Sequence, residues 1–328
     1  MKPRIGLVAI AMTLWPLALP AQQPATPAAD SADQFPAWAY PWAPDFKAMP
    51  DDGVPRHVPD SDAAFTITQE RDLFFVPDWH PGDHPRMPDV VGKGRRPEVR
   101  ACGSCHRASG TGGPENASLA GLPAAYIIQQ MANYKSSARK FSGPPRSPVT
   151  LMMAIAKAAN DAEIKAAAAY FSSLKPTPNI KVIETDTVPK TQIARVFYTA
   201  LPDAGTEPLG PRILEVPQDM AQFEHRDSRA QFTTYVPMGS IAKGEALVKT
   251  GGAGKTIACG ACHGPDLKGI GAIPGIAGRS PSYIVRQLYD FQQGNRAGEA
   301  GEMMQPVTAK LSSDDMIALG AYLASLQP

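Results

Sequence analysis

The sequence predicts a mainly α-helical protein made of two units of one kind, with an irregular segment before the first unit and short strands between the two. Three observations support this fold class. The pentapeptide Cys-x-x-Cys-His occurs at residues 102–106 and 259–263, and it uses all four cysteines of the 328-residue chain. A helix-like stretch follows each copy with the same residues at the same offsets. The 34 prolines cluster outside these regions, where they favour loops and short strands.

The first 21 residues have the order of a secretory signal peptide. Lys2 and Arg4 precede an apolar run that extends to about Leu19, and polar residues follow. The run is short and contains Pro16, so a membrane-spanning helix is not expected, although a retained N-terminal anchor is the alternative. We therefore expect export to the periplasm and a mature chain without an integral membrane segment.

Residues 22–85 form a predicted N-terminal extension that is rich in proline and aromatic residues. The stretch FPAWAYPWAPDF, at residues 35–46, is too aromatic for a fully disordered tether. We expect the extension to wrap around a domain or to contact a partner. The first repeated unit is expected to follow at residues 86–178.

Two cysteines three positions apart, followed at once by a histidine, suit several kinds of chemistry. A disulfide within the pair would close a very small loop and add little stability. A zinc ribbon holds its two cysteine pairs about 15–20 residues apart. Here Cys105 and Cys259 are 154 positions apart. A thioredoxin-like redox pair needs a βαβ context, which neither copy has.

Attachment of haem c uses all three residues of the motif. The two thiols bind the vinyl groups of the haem, and the adjacent histidine binds the iron. Two complete copies with no spare cysteine therefore predict two covalently bound haem c groups. The predicted haem-binding residues are Cys102, Cys105, His106, Cys259, Cys262 and His263.

Two helices are predicted after each motif. The first begins near Tyr126 in one unit and near Tyr283 in the other, twenty residues after each motif histidine. Apolar residues recur there at helical spacing. The last helix covers about 161–174 and about 313–326 in the two units. Suitable N-caps precede these last helices: Asn160 or Asp161, and Ser312 or Ser313.

Residues 179–236 separate the units and are predicted to form an insert of short strands. The stretches IKVIETD, ARVFYTA, RILEVP and FTTYVP lie between turns and are rich in strand-forming residues. We expect the insert to act as a rigid spacer or as a recognition surface. The second unit, residues 237–328, begins with the candidate helix SIAKGEALVKTGG, in which Gly244 would let the C-terminal helix cross closely.

Each unit resembles the class I cytochrome c fold, because its motif is followed by a helix, a Met-bearing loop and a final helix. The pair is similar to the dihaem cytochrome c4 family, which implies two cytochrome c-type haem domains in tandem. The resemblance also implies that the carbonyl of Pro274 orients His263. The first unit has Ala117 at the equivalent position, and the segment before Cys102 is a poor helix. We therefore expect the first haem to be more exposed on that side.

The second axial ligand of each iron is predicted to be a methionine on the loop before the final helix. An electron-transfer cytochrome commonly combines His with Met at its iron. The repeat aligns Met152 with Met304, each eight residues before the N-cap of the last helix, and the family resemblance agrees. Met153 and Met303 remain alternatives. The predicted iron ligands are thus His106, Met152, His263 and Met304.

His80 and His84 lie some twenty residues before the first motif, in the stretch PDWHPGDHPRMP. They lie outside the repeat, so hydrogen-bonded histidines of an ordered surface loop are expected. The alternative is that one of them replaces Met152 at the iron. His57 and His225 have no neighbouring motif and are expected at the surface.

The predicted function is electron transfer without a catalytic residue. One haem would accept an electron from a periplasmic dehydrogenase or a membrane complex, and the other would pass it towards an acceptor. Redox proteins are the expected partners, and the formal net charge of +1 gives no reason to expect nucleic acid. Two alternatives remain. The chain could be the cytochrome subunit of a larger dehydrogenase, or a dihaem enzyme of the peroxidase or thiosulfate-oxidising type.

Overall fold

The computed structural model of the protein describes residues 35–328. The predicted signal peptide, its cleavage site and the start of the predicted extension lie outside the described residues. Between residues 35 and 328, no helix has both the length and the apolar character needed to cross a membrane.

The chain before the first motif is ordered mainly by turns and aromatic contacts. Thr66 and Gln69 form a capping box at the start of one short helix, each side chain bonding the other residue's backbone N–H. Phe65 packs edge-on against Trp79, with ring centroids 4.6 Å apart. The segment just before the motif forms only a four-residue helix, as its glycines and proline predict. The elements are the 3₁₀ turns Ala37–Ala39 and Pro81–Asp83 and the helices α1 (Ile67–Arg71) and α2 (Asp89–Gly92).

The first unit contains four helices, and only the extended residues Ala159 and Asn160 separate the last two. The final helix begins at Asn160, which forms a capping box with Glu163, so its predicted position is confirmed. The predicted methionine loop is instead a helix. Its first turn contains Pro148, and the residues that follow are mostly good helix formers. The helices are α3 (Gly103–His106), α4 (Ala124–Lys135), α5 (Ser147–Ala158) and α6 (Asp161–Ser173).

Seven short strands and one helix lie between the two units. Each of the four stretches expected to be extended contains a strand. A three-stranded sheet has the last strand, β7, at its centre, parallel to β1 and antiparallel to β6. The elements are β1 (Ile180–Glu184), β2 (Thr187–Pro189), β3 (Thr191–Ala194), β4 (Phe197–Ala200), β5 (Thr206–Pro208), β6 (Leu214–Pro217), α7 (Met220–Glu224) and β7 (Phe232–Val236).

The second unit has an eleven-residue helix before its motif, where the first unit has only the four-residue α2. A Cβ atom at Gly244 in this helix would overlap the carbonyl oxygen of Ala318 in the C-terminal helix. The predicted close crossing at Gly244 is therefore confirmed. The elements are α8 (Ser240–Thr250), α9 (Gly260–His263), β8 (Gly269–Ile270), β9 (Ile273–Pro274), α10 (Pro281–Gln292), α11 (Glu299–Glu302), α12 (Gln305–Thr308) and α13 (Ser313–Ser325).

The two units are joined by the loops that follow α4 and α10. The backbone N–H of Lys140 donates to the carbonyl of Asn295 at 2.6 Å, and that of Ala297 donates to Ala138 at 2.8 Å. These bonds pair the equivalent loops of the two units in antiparallel fashion. Arg139, on one of these loops, donates to Gln130 of α4 and to Gln287 of α10, and both motifs line one shared cavity.

Candidate functional site

One continuous cavity runs between the two units and contains both motifs. Its lining includes apolar side chains from both units, such as Ile127 and Ile155 of the first and Ile284 and Leu319 of the second. An apolar cavity of this kind suits flat, largely apolar ring cofactors. All six predicted haem-binding residues line it: Cys102, Cys105, His106, Cys259, Cys262 and His263.

Each motif folds as a single helical turn at the edge of the cavity. The backbone N–H of His106 donates to the carbonyl of Cys102 at 3.0 Å, and that of His263 donates to Cys259 at 2.9 Å. This turn brings both thiols and the imidazole of a motif to the same cavity. Two thioether bonds and one iron ligand can therefore reach a single haem from each motif.

A backbone carbonyl orients the imidazole of each motif histidine. Nδ1 of His106 lies 2.8 Å from the carbonyl oxygen of Ala117, and Nδ1 of His263 lies 2.8 Å from that of Pro274. Burial lowers the pKa of both histidines, so each is neutral near pH 7. A neutral imidazole that donates through Nδ1 leaves the lone pair of Nε2 for a metal. Because the acceptor is a backbone atom, Ala117 serves as well as Pro274.

The first thiol of each motif is not suited to work as a free thiolate. Burial raises the pKa of Cys102 to about 12 and that of Cys259 to about 11. Neutral thiols are poor zinc ligands and poor redox nucleophiles. In the described part of the chain, no group of three or more His, Cys, Asp or Glu side chains could hold a metal ion. The site therefore fits haem attachment better than zinc or a thioredoxin-like pair.

The structure distinguishes between the two neighbouring methionines in each unit, by cavity lining in the first unit and by exposure in the second. Met152, on α5, lines the cavity, whereas Met153 is not among the described residues that line it. In the second unit both neighbours line the cavity. Met304 packs against the core of that unit, whereas Met303 is 63% exposed. The geometry thus favours Met152 and Met304 over their neighbours.

The histidines before the first motif have partners of their own. Nε2 of His80 lies 3.1 Å from the carboxylate of Asp227. Nε2 of His84 lies 3.2 Å from the carboxylate of Asp78. Neither imidazole is part of the described cavity lining.

The expectation that His225 is a simple surface residue is wrong. The extension brings the buried Glu70 to within 2.9 Å of its Nδ1.

Four buried arginines line the cavity and make its wall positively charged. The ion pairs formed between described residues involve none of the four. One nitrogen, Nη1 of Arg146, is buried without a hydrogen-bond partner among the described residues. The buried carboxylate of Asp290 attracts these guanidinium groups but forms no ion pair with any of them, so the residues present fit a cofactor with carboxylates of its own, such as the propionates of haem. The four are Arg139, Arg146, Arg286 and Arg296.

Two of these arginines donate hydrogen bonds to the tyrosine and glutamine that both copies of the sequence repeat contain. Arg139 donates to Tyr283 at 3.1 Å and to Gln287 at 2.8 Å, across the contact between the units. In the same way Arg296 donates to Tyr126 at 2.6 Å and to the glutamine four positions further on at 3.2 Å. Burial would raise the pKa of Tyr283, but the guanidinium groups of both arginines lower it. The repeated Tyr, Gln and Arg thus form one polar network shared by the two units.

The attachment turn of the first unit is the more buried of the two. The backbone N–H of Ala101 donates to the carbonyl of Leu73 at 2.9 Å, and the side chain of Val76 packs against Gly103. Ser104, in the middle of the turn, is 2% exposed, whereas Cys262 of the second turn is exposed. The poor helix at α2 predicted a more exposed first haem on that side, but there the extension covers the attachment turn.

Comparison with known proteins agrees with this geometry. The family model described as cytochrome c matches residues 93–175 and 241–327, which is just over half of the chain. The thiosulfate dehydrogenase electron acceptor of Thiomonas intermedia is 26% identical over 233 residues, which are 70% of this chain and 80% of that protein. Cytochrome c4 of Azotobacter vinelandii is 25% identical over 244 residues, 72% of this chain and 88% of that protein.

A solved structure to which this chain is similar is that of reduced recombinant cytochrome c4 from Pseudomonas stutzeri. It has 24% sequence identity to this chain and a TM-score of 0.45. The similarity covers 69% of this chain and 93% of that structure.

Proposed function

Because this chain belongs to the cytochrome c family, we propose that it accepts electrons from a dehydrogenase in the periplasm and delivers them to a downstream acceptor. It is a cytochrome c4-like electron-transfer protein with two covalently bound haem c groups. Each haem, when bound, supplies an iron that takes up and releases one electron. The proposal places the two domains at residues 86–178 and 237–328, with residues 179–236 as an insert between them.

The single observation that carries the proposal is the cavity that contains both motifs. Two redox centres held in one cavity can exchange electrons without leaving the protein. The proposed attachment residues are Cys102 and Cys105 in the first domain and Cys259 and Cys262 in the second. The proposed iron ligands are His106, Met152, His263 and Met304.

The protein's own residues would fix each centre and keep water away from it. The bonds from His106 to Ala117 and from His263 to Pro274 hold both imidazoles in one tautomer and one orientation. The buried guanidinium groups would accept the propionates as their missing anions. A rigid, pre-arranged site of this kind changes little between oxidation states, which favours fast electron transfer.

We propose a carrier and not an enzyme, because each domain offers a methionine that would serve as the second protein ligand of its iron. Met152 and Met304 both line the cavity. An iron with two protein ligands has no open position for peroxide or thiosulfate. The relative named as an electron acceptor for thiosulfate dehydrogenase makes that enzyme class the first candidate donor. A stable complex with the donor, in which this chain is the cytochrome subunit, is the second form of the same proposal.

Carbon monoxide binding tests the proposal. Reduced protein should bind carbon monoxide slowly and incompletely at neutral pH, because a methionine must first leave the iron. Turnover of peroxide or thiosulfate by the isolated protein should stay near background. Rapid, stoichiometric binding together with turnover would overturn the carrier function and favour a dihaem enzyme. Purification of the native protein at low salt should also bring down a dehydrogenase, and recovery without one would favour the free carrier over the subunit.

A further inference from the structure

The N-terminal extension places one aromatic side chain in the cavity that contains both motifs. Tyr40, which follows the 3₁₀ turn Ala37–Ala39, lines that cavity and is 5% exposed. It precedes the first proposed domain, which begins at residue 86, by more than forty positions. The wall of the cavity therefore includes a residue from outside the two haem domains.

Contacts with both units hold Tyr40 in place. Nη1 of Arg286, on α10 of the second unit, donates to the carbonyl of Ala39 at 2.9 Å. The ring of Phe35 stacks on the ring of Tyr40, with centroids 4.9 Å apart. A Cβ atom at Gly143, on the loop before α5, would lie 2.5 Å from the Phe35 ring and 3.4 Å from the Tyr40 ring. Packing therefore fixes the Tyr40 side chain without any bond to its hydroxyl.

The hydroxyl of Tyr40 is buried without a hydrogen-bond partner among residues 35–328. Burial and the nearby carboxylate of Asp290 raise the pKa of Tyr40, so the hydroxyl keeps its proton at neutral pH. A buried hydroxyl that donates to no acceptor is unfavourable. The folded protein would therefore be stabilised by an acceptor inside the cavity.

Arg146 provides a second buried donor beside Tyr40. Its guanidinium carbon lies 5.3 Å from the centroid of the Tyr40 ring, and its Nη1 also has no partner in the described part of the chain. Arg146 lines the cavity and directly precedes α5, the helix that contains Met152. A carboxylate has two acceptor oxygens, so a single one can accept from both a hydroxyl and a guanidinium.

We propose that Tyr40 is a further haem-binding residue, whose hydroxyl donates to a haem carboxylate that Arg146 also binds. One carboxylate would satisfy both buried donors, which the protein's own groups leave without partners. The inference rests on the proposed function, because the carboxylate belongs to haem c. It gives the extension a direct role in holding the cofactor.

Tyr40→Phe in the full-length holoprotein tests this role, because it removes the hydroxyl and keeps the ring that packs against Phe35. Resonance Raman spectra should show a shift in the propionate-bending band of one haem, since that band responds to hydrogen bonds at the carboxylate. The less neutralised carboxylate should also favour oxidised iron. Against a redox dye of known potential at neutral pH, the reduced-to-oxidised ratio of that haem should fall about threefold.

The pH dependence of the potential gives a second readout in the same variant. A hydrogen bond to the charged form of a carboxyl lowers its pKa, so loss of the Tyr40 hydroxyl should raise the pKa of the haem propionic acid. Protonation removes the negative charge and raises the potential. The rise on acidification should therefore begin at a higher pH in Tyr40→Phe than in the unaltered protein.

Tyr198→Phe is the matched control. The Tyr198 hydroxyl donates to the carbonyl of Trp38 at 3.1 Å, so it also contacts the extension, but Tyr198 is not among the described residues that line the cavity. This variant should keep the Raman band, the potential and the pH profile of the unaltered protein. The double variant Tyr40→Phe/Arg146→Gln should change the potential by an amount that differs from the sum of the single changes, because the two residues share one carboxylate.

An unshifted Raman band together with an unchanged potential in Tyr40→Phe would overturn the assignment while leaving the carrier function intact. Equal shifts in Tyr40→Phe and Tyr198→Phe would also overturn it, because they would assign the effect to the packing of the extension. Strict additivity in the double variant would contradict the shared carboxylate. Mass spectrometry should show two covalent haems in every variant, and their absence from the unaltered protein would count against the proposed function itself.

Discussion

At the scale of single residues, the site depends on which atoms face the cavity. The two motif histidines are held by backbone carbonyls, which any residue at positions 117 and 274 could supply. The methionines differ, because only the side chain can bind iron and its neighbour in sequence is also a methionine. The most informative single substitutions are therefore those that separate Met304 from Met303.

Met304→Ala should remove part of the weak charge-transfer band near the red edge of the spectrum that marks Fe–S(Met) ligation in the oxidised protein. The remaining part belongs to the first haem. The reason is that Met304 is half-buried against the core and lines the cavity. Met303→Ala is the control and should leave the band unchanged. Loss of the band in the control variant would assign the ligand to Met303.

Arg146→Gln should lower the reduction potential of at least one haem, by an amount on the order of tens of millivolts. A buried positive charge favours the reduced iron, which carries one positive charge fewer, so its removal favours oxidation. Arg86→Gln is the matched control, because Arg86 is exposed and water screens its charge. Spectroelectrochemical titration measures both variants, and equal potentials for Arg146→Gln and the unaltered protein would contradict this role.

At the scale of elements, the contact between α8 and α13 holds the second domain together. Gly244 lets the two helices approach at Ala318. Asp315 in the first turn of α13 has no exposed surface and forms ion pairs with Lys243 and Lys255, at 2.8 Å each. One packing contact and one buried charge cluster thus fix the same pair of helices.

Gly244→Ala should destabilise the protein by about 2 kcal/mol or more, because the new methyl group overlaps backbone that cannot move aside. Thermal unfolding followed by circular dichroism should show the lower midpoint. Gly82→Ala is the control, since a Cβ atom there would meet nothing within 4 Å. An unchanged midpoint for Gly244→Ala would mean that the helices cross less closely than described.

The Asp315 carboxylate should make stability depend on pH in the acid range. Burial alone would raise the pKa of Asp315, but bonds from Lys243, Lys255 and Ser312 lower it well below its ordinary value. A carboxyl with a lowered pKa in the folded state stabilises the protein above its unfolded pKa of about 4, and that contribution is lost as the pH falls. Urea unfolding between pH 7 and pH 3 should show this loss.

Asp315→Asn should lower the free energy of unfolding at pH 7 by about 1–2 kcal/mol, because the buried carboxylate loses its bonds to two lysines that are themselves partly exposed. Its stability should then decline less between pH 5 and pH 3 than that of the unaltered protein. Asp203→Asn, at an exposed position, should follow the unaltered protein. Parallel acid profiles for Asp315→Asn and the unaltered protein would contradict the assignment.

The sequence predicted the helices whose first residues are fixed by a capping residue close by in the chain. Asn160 and Ser312 cap the last helices where the sequence places them, because a cap and its partner lie three residues apart. The helix α5 differs from the methionine loop that the family resemblance implies, because Pro148 lies in its first turn and good helix formers follow. The cover on the first attachment turn could not be predicted, since it brings Arg226 to Ser104 over a separation of more than one hundred residues.

At the scale of the whole molecule, two domains of one kind share a cavity but differ in their access to solvent. The motifs were predictable because five adjacent residues contain all the attachment chemistry. The buried arginines were not predictable as a group. Arg139 and Arg296 were visible as repeated residues, but their partners lie in the opposite domain. Nothing in the local sequence distinguishes Arg146 from a surface arginine.

The central claim is that each domain covalently holds one haem through its own motif, and intact-mass spectrometry of the denatured protein tests it most directly. The mature chain should carry the mass of two haems, and the double variant Cys259→Ala/Cys262→Ala should carry one. Acid acetone should release no haem from the unaltered protein. A mass corresponding to a single haem or to none, or release of haem by acid acetone, would contradict the account.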